Sequence, residues 1–117
     1  DIVPATARLC LMNLFLHGVG DLKETPEINV IDSLLEVPKD KVHMVLANPP
    51  FGKSSSYTIT NDRKFTKQDG YFFRPDFWTT TSNKQLCFVQ HIISMLKDGG
   101  RAAIVLPDNV LFEGGAG

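Results

Sequence analysis

The sequence predicts an α/β fold on a mainly parallel sheet, a part of a doubly wound architecture rather than all of one. Three observations predict it. The elements read in the order helix, strand, strand, loop, helix, strand, the alternation that places helices over a parallel sheet. Two strand candidates, residues 42–47 and 101–106, are nearly unbroken apolar runs, as strands covered on both faces require. The 117 residues are 43% hydrophobic, enough to pack one core and too few for two domains. The chain starts on a helix and stops in Gly114-Gly115-Ala116-Gly117 soon after a strand.

Each element has a local reason. Over residues 4–17, Pro4 suits a first helical turn, Leu9, Met12 and Leu16 recur at helical spacing, and Gly18 supplies the stop. Residues 27–32 read as a short strand around Ile28, Val30 and Ile31. Residues 42–47 form the second strand, which ends abruptly at Asn48-Pro49-Pro50. Residues 52–81 are polar and aromatic without a period, an irregular loop long enough to imply a function. Ser82-Asn83-Lys84-Gln85 fits a capping box that opens a helix at Ser82. Leu86, Val89, Ile93 and Leu96 give that helix its apolar stripe, and Asp98-Gly99-Gly100 closes it. Residues 101–106 form the last strand, ended by Pro107.

Composition narrows the function classes. The net charge of −1 argues against a dedicated nucleic-acid-binding domain. The distribution is less even: Lys53, Arg63, Lys64, Lys67 and Arg74 face only Asp62 and Asp69 across residues 53–74. That surplus reads either as a solvated loop or as a phosphate-facing one. Tyr71, Phe72, Phe73, Phe77 and Trp78 either anchor the loop to the core or flank nucleic acid. Cys10 and Cys87 lie in apolar stretches and read as reduced core residues of a cytosolic protein. No Cys/His spacing suggests a metal, and no apolar run has the length of a membrane span. His17, His43 and His91 read as helix-end, strand-end or polar-face residues.

The strongest signal is Asn48-Pro49-Pro50-Phe51. Asn-Pro marks turns everywhere, but an Asn-Pro-Pro-aromatic string arises by chance in roughly one chain in a thousand of this length, with Pro at about 5%. It also stands at the carboxyl end of a strand, where open α/β sheets bind ligands. The residue types fit one chemistry. An adenine N6 amine is a poor nucleophile because its lone pair is delocalised into the ring. Two acceptors aimed at its two N–H bonds, the Asn48 side-chain oxygen and the Pro49 carbonyl, draw it toward tetrahedral geometry. Consecutive prolines fix φ and lack N–H groups, so the acceptors stand in a stiff loop, and Asn48 is held extended by Pro49. Such a site works by preorganised electrostatics and positioning. Phe51 is placed to stack on a base that has left the duplex.

The Asn-Pro-Pro-aromatic motif resembles that of amino-group methyltransferases. Ser82-Asn83, then Phe88-Val89-Gln90-His91-Ile92-Ile93, then residues 99–107 from Gly99-Gly100 to Leu106-Pro107, then Gly114-Gly115, resemble in order and spacing the modification subunit of type I restriction-modification systems. The resemblance covers essentially the whole chain. It implies a Rossmann-like fold of the S-adenosylmethionine-dependent methyltransferase type, with residues 1–117 as the C-terminal part of its catalytic domain. It implies catalytic roles for Asn48, Pro49, Pro50 and Phe51. S-adenosylmethionine is the implied cofactor, with Asp32 on its adenine, Asp1 on its ribose and Asn48 at its methyl end. The family usually carries Glu where Asp1 stands. The implied partners are double-stranded DNA with a flipped adenine and the specificity and restriction subunits of the same system, in the cytoplasm.

One departure is large. The family's glycine-rich cofactor loop belongs before Asp1. Gly18-Val19-Gly20 is no substitute, because Lys23 stands where the third glycine belongs and the segment follows a helix. Gly52-Lys53-Ser54 is no phosphate loop either, since Ala47 occupies the first glycine position. Two other readings therefore accompany the DNA adenine methyltransferase: an N-methyltransferase acting on protein glutamine or an RNA base, and an inactive, truncated module that pairs with other subunits.

Overall fold

A computed structural model describes residues 2–51, 59–60, 66–68 and 71–112, with side chains described except at 59–60, 66–68, 109 and 111. The chain divides into two compact units, residues 1–33 and 34–117. No helix among the described residues is long and apolar enough to cross a membrane.

The first unit is built on helix α1, Pro4–Leu16, with Pro4 in the first turn as the sequence indicated. Its end is a Schellman motif. His17 caps the helix, Gly18 adopts φ +73°, the Gly18 N–H donates to the Phe15 carbonyl at 3.0 Å and the Val19 N–H to the Leu14 carbonyl at 2.9 Å. Those two bonds satisfy carbonyls a helix end otherwise leaves orphaned, and the left-handed backbone selects glycine. Asp21 then forms a turn, its Oδ1 accepting from the Lys23 and Glu24 N–H groups at 2.6 and 2.8 Å. These bonds, Glu24's first, lower the Asp21 carboxyl from its ordinary value. The stripe Leu9, Met12 and Leu16 does not face a core: all three are exposed, as is Cys10, and only Ala7 of α1 is buried. Residues 27–32 form no strand. A strand requires a ladder, and no described segment pairs with this one.

The second unit is an α/β arrangement around one parallel strand pair. β1 is Val42–Ala47 and β5 is Leu96–Ile104, with Met44 opposite Arg101 and Ala47 opposite Ile104. The expected strand at 101–106 thus starts earlier and ends earlier. It begins directly after the helix, and Gly99 at φ +76° lets β5 bulge where its register against Val42 and Met44 shifts. The pair is not covered on both faces. Met44 and Leu46, on one face by strand alternation, are 62% and 75% exposed, while Val45, Ala47 and Ile104 are half-buried.

Residues expected to be an irregular loop contain a small antiparallel meander: β2, Ile59–Thr60; β3, Thr66–Gln68; and β4, Tyr71–Phe73. Helix α2, Lys84–Met95, follows. Its cap is Asn83, one residue beyond the expected Ser82. Asn83 Oδ1 accepts from the Gln85 and Leu86 N–H groups at 2.9 and 3.3 Å, a cap of a kind worth about 1 kcal/mol. The helix ends at Met95, before the Asp98-Gly99-Gly100 stop the sequence suggested. Its buried residues are Gln85, Cys87, Gln90, His91 and Ile92, whereas Leu86 and Val89 are half-buried and Ile93 is exposed. The segment before the helix satisfies part of this polar side: the Thr79 N–H donates to Gln90 Oε1 at 3.0 Å, while Gln90 Nε2 has no partner among the described residues.

Cys87 packs with Leu34 and Phe72 in the core of this unit, flanked by Leu35, Phe77 and Phe88. Phe72 is 2% exposed, and burying a side chain of that size contributes roughly 1.5–3 kcal/mol. A short 3₁₀ helix, Asp108–Phe112, follows β5, with Val110 buried and its N–H donating to the Pro107 carbonyl at 3.2 Å.

Candidate active site

Asn48-Pro49-Pro50-Phe51 leaves the carboxyl end of β1, the position the sequence assigned it. The end is held from the neighbouring strand: the Val105 N–H donates to the Ala47 carbonyl at 3.0 Å, continuing the β1–β5 ladder up to the residue before Asn48. Pro49 is buried, while Asn48, Pro50 and Phe51 are exposed. The loop is therefore pinned at its centre and presents its two chemistry-bearing side chains outward. The Asn48 carboxamide bonds to none of the described residues, so its oxygen is available as an acceptor. Phe51 is 58% exposed, an open ring face beside that acceptor in sequence. A carboxamide oxygen and a proline carbonyl can together accept both hydrogens of one amine.

The residues expected on the cofactor are not all placed. Asp32 lies in the first unit, half-buried, after a segment that is not the strand the sequence suggested. Asp1 lies outside the described residues, as do Gly114 to Gly117. Gly18 and Gly20 do not suit the methionine half of S-adenosylmethionine, because one closes a helix and the other precedes the Asp21 turn.

The basic surplus divides. Lys53, Arg63 and Lys64 lie outside the described residues, and Lys67 is described only in its backbone, opposite Phe72 in the meander. Arg74 does not face outward at all. It is 6% exposed. Its Nε and Nη2 grip the two Asp76 carboxylate oxygens, at 3.0 and 2.5 Å, Nη1 lies 2.9 Å from His91 Nδ1, and Nη2 lies 3.4 Å from Ser94 Oγ. The Phe77 ring lies beneath the guanidinium, 4.3 Å from centroid to Cζ, a cation–π contact. Arginine only donates, so His91 Nδ1 accepts and the ring proton belongs on Nε2. Burial pushes the Asp76 carboxyl up, but bonds from Arg74 and Ser94 and the adjacent guanidinium charge outweigh it, and the carboxyl sits below its ordinary value.

This cluster is the feature the sequence reading missed. His91 was expected on a polar face and is buried; His17 is the helix cap expected, and His43 is an exposed strand residue. The readable signal was Arg74-Pro75-Asp76, a turn that sets opposite charges two residues apart after three aromatics. The five aromatics of residues 71–78 divide, and the core-anchoring role holds for two of them. Phe72 and Phe77 anchor the segment to the core, while Tyr71, Phe73 and Trp78 are exposed.

Comparison with known proteins adds a family match over residues 1–117, to the N-6 DNA methylase model. The chain is 46% identical over 120 residues to the methylase subunit of the type I restriction enzyme EcoKI of Escherichia coli (strain K12), aligning all of this chain with 20% of that subunit. It is equally similar, with the same coverage, to the StySJI methylase subunit of Salmonella typhimurium. It is 33% identical over 107 residues to the EcoEI methylase subunit of Escherichia coli, covering 92% of this chain and 19% of that one. The chain spans about a fifth of the length of the curated relatives it matches.

Proposed function

The chain belongs to the N-6 DNA methylase family, and on that premise we propose that it carries the target-base side of an adenine-N6 DNA methyltransferase subunit of a type I restriction-modification system. The observation that carries the reading is the Asn48–Phe51 loop, pinned through Pro49 at the carboxyl end of β1 with Asn48 and Phe51 turned outward. Residues 1–117 are then a C-terminal part of the catalytic domain, and the β1–β5 pair belongs to a larger doubly wound sheet.

In this reading the protein's work is positional. Asn48 Oδ1 and the Pro49 carbonyl each accept one N–H of the target amine, holding its lone pair clear of the ring. Phe51 stacks on the extruded adenine and keeps it out of the duplex, a contact worth roughly 1–3 kcal/mol. Pro49, buried, fixes the distance between the two acceptors, so no reorganisation accompanies the reaction. Asp32 and Asp1 hold the adenosine portion of S-adenosylmethionine, whose sulfonium supplies the methyl group. The partners are double-stranded DNA and the specificity and restriction subunits, in the cytoplasm. Methyl transfer assayed with the full-length subunit on duplex DNA, protein and RNA tests the reading. N6-methyladenine in DNA supports it; methylated glutamine or RNA with unmodified DNA refutes it.

A further inference from the structure

Strand alternation gives β4 two different faces. Phe72 turns inward and is buried, as is Arg74 immediately after the strand, whereas Tyr71 and Phe73 turn outward and are exposed. Phe72 anchors the inward face by packing on Leu34 and Cys87. Arg74 anchors it by hydrogen bonding to the middle and end of α2, through His91 Nδ1 at 2.9 Å and Ser94 Oγ at 3.4 Å, with Asp76 neutralising its charge. An arginine is a poor choice for stability alone. Desolvating the pair offsets most of its attraction, and apolar residues of similar volume often serve as well or better. What a guanidinium adds is direction. Its planar fork fixes the angle and register of the groups it bonds, here β4 relative to α2.

We propose that Arg74 is a positioning residue for DNA engagement: through His91 it fixes β4 on α2 and so sets where the outward-facing Tyr71 and Phe73 stand. The inference rests on the DNA reading above. In the sequence the meander is the next described element after Phe51. Across residues 53–68 the sequence carries Lys53, Arg63, Lys64 and Lys67 against Asp62 alone, the charge balance that suits a phosphate backbone. Exposed rings on such a strand suit unpaired bases, which stack on aromatics irrespective of sequence. In the meander, Tyr71 and Phe73 stand opposite Gln68 and Thr66. The Arg74 bond to His91 requires an acceptor lone pair on Nδ1, so His91 is part of the same device.

The test uses the full-length subunit in its holoenzyme, with a duplex carrying one methylatable adenine. Arg74→Met and the double variant Arg74→Met with His91→Leu keep side-chain bulk but lose the directed bonds. His91→Gln retains an acceptor oxygen. Amide exchange over residues 71–73 reports the grip, steady-state kinetics report KM for DNA and kcat, and calorimetry reports cofactor binding. The expected result is faster exchange in the two Met-bearing forms, with KM for DNA raised about fivefold or more, the weaker end of one lost base-stacking contact. In the same forms kcat and cofactor affinity change less than about twofold, since a positioning role acts on DNA capture alone, and His91→Gln, which keeps an acceptor for Arg74, leaves the DNA KM within about twofold of wild type. Unchanged exchange in Arg74→Met would overturn the grip. Faster exchange with an unchanged KM would overturn the positioning role while leaving DNA methylation intact. A wild-type subunit that leaves adenine unmethylated would overturn the underlying reading, and this proposal with it.

Discussion

On the proposed reading, replacing Asn48 with alanine is expected to separate catalysis from folding. The carboxamide is exposed and bonds to none of the described residues, so its removal leaves no buried group orphaned. Surface changes of that kind stay within about 0.5 kcal/mol. Pro49 is the buried member of the loop, and it is untouched, so the backbone keeps its place beside β5. In the transition state the same change deletes one of two fixed acceptors. A single preorganised hydrogen bond of this sort is worth about 2.7–4 kcal/mol, a loss of about 10²–10³ in kcat. The two magnitudes differ several-fold, so the rate collapses while stability barely moves. Asn48→Gln carries the same acceptor one methylene too far and is expected to fall between. The assay is single-turnover transfer of labelled methyl to a duplex with one target adenine, beside calorimetric binding of S-adenosylmethionine. A variant that keeps more than about a tenth of the wild-type rate would refute the acceptor role, given the hundredfold minimum above.

Phe51→Ala is expected to weaken retention of the flipped base, by roughly 1–3 kcal/mol, and Phe51→Trp to preserve it; a fluorescent base analogue at the target position reads this, and equal behaviour of the two variants refutes stacking. Asn83→Ala removes the acceptor for two N–H groups of α2 and is expected to cost about 1 kcal/mol, measured as a lower unfolding midpoint in denaturant. The Asp76 carboxyl is depressed below its ordinary 3.8, so the stability it lends is complete above that pH and is lost as pH falls through the lower folded value. Protection of residues 71–73 is therefore expected to fade below about pH 4 in the wild type and to lose that pH dependence in Asp76→Asn. Residues 1–117 by themselves are expected neither to bind S-adenosylmethionine tightly nor to methylate DNA, because on the proposed reading their residues would reach only part of the cofactor; micromolar binding at one site per chain in calorimetry refutes this.

The parts of the fold legible in the sequence are those encoded locally. Pro4 and Gly18 bracket α1 because a first turn tolerates proline and a left-handed cap selects glycine. The reactive loop could be placed because Val42 to Ala47 forms an apolar run that two prolines terminate. The meander was not legible: strands of two or three residues have no period to detect, and their pairing is decided by Phe72 finding Cys87 far along the chain. The buried side of α2 was misread for a related reason. An apolar stripe pointed to Leu86, Val89 and Ile93, yet Gln90 and His91 face inward because Thr79 and Arg74 meet them there. Arg74 was counted with the loop's basic surplus, although Asp76 cancels it two residues on. The start of β5 depends on a positive φ at Gly99 and a register shift against β1, neither of which a residue pattern announces. For the site itself, Asn48 and Phe51 stand at the end of β1 where the motif put them, whereas Asp32 follows no strand.

The pairing of Ala47 with Ile104 across a parallel ladder has a kinetic side. Parallel neighbours cannot be joined by a tight turn, so closing this pair requires the meander and α2 to be laid down first, with the loop-closure entropy of the whole intervening chain overcome. The Asn48–Phe51 loop is thus expected to be among the later parts of its unit to acquire a fixed backbone. During synthesis Asn48 emerges before the strand after α2, and its loop is expected to gain the Val105–Ala47 bond only when that strand arrives. Changes that slow docking of α2, even remote ones such as loss of its cap, are expected to delay the appearance of a competent site more than they lower the stability of the finished one.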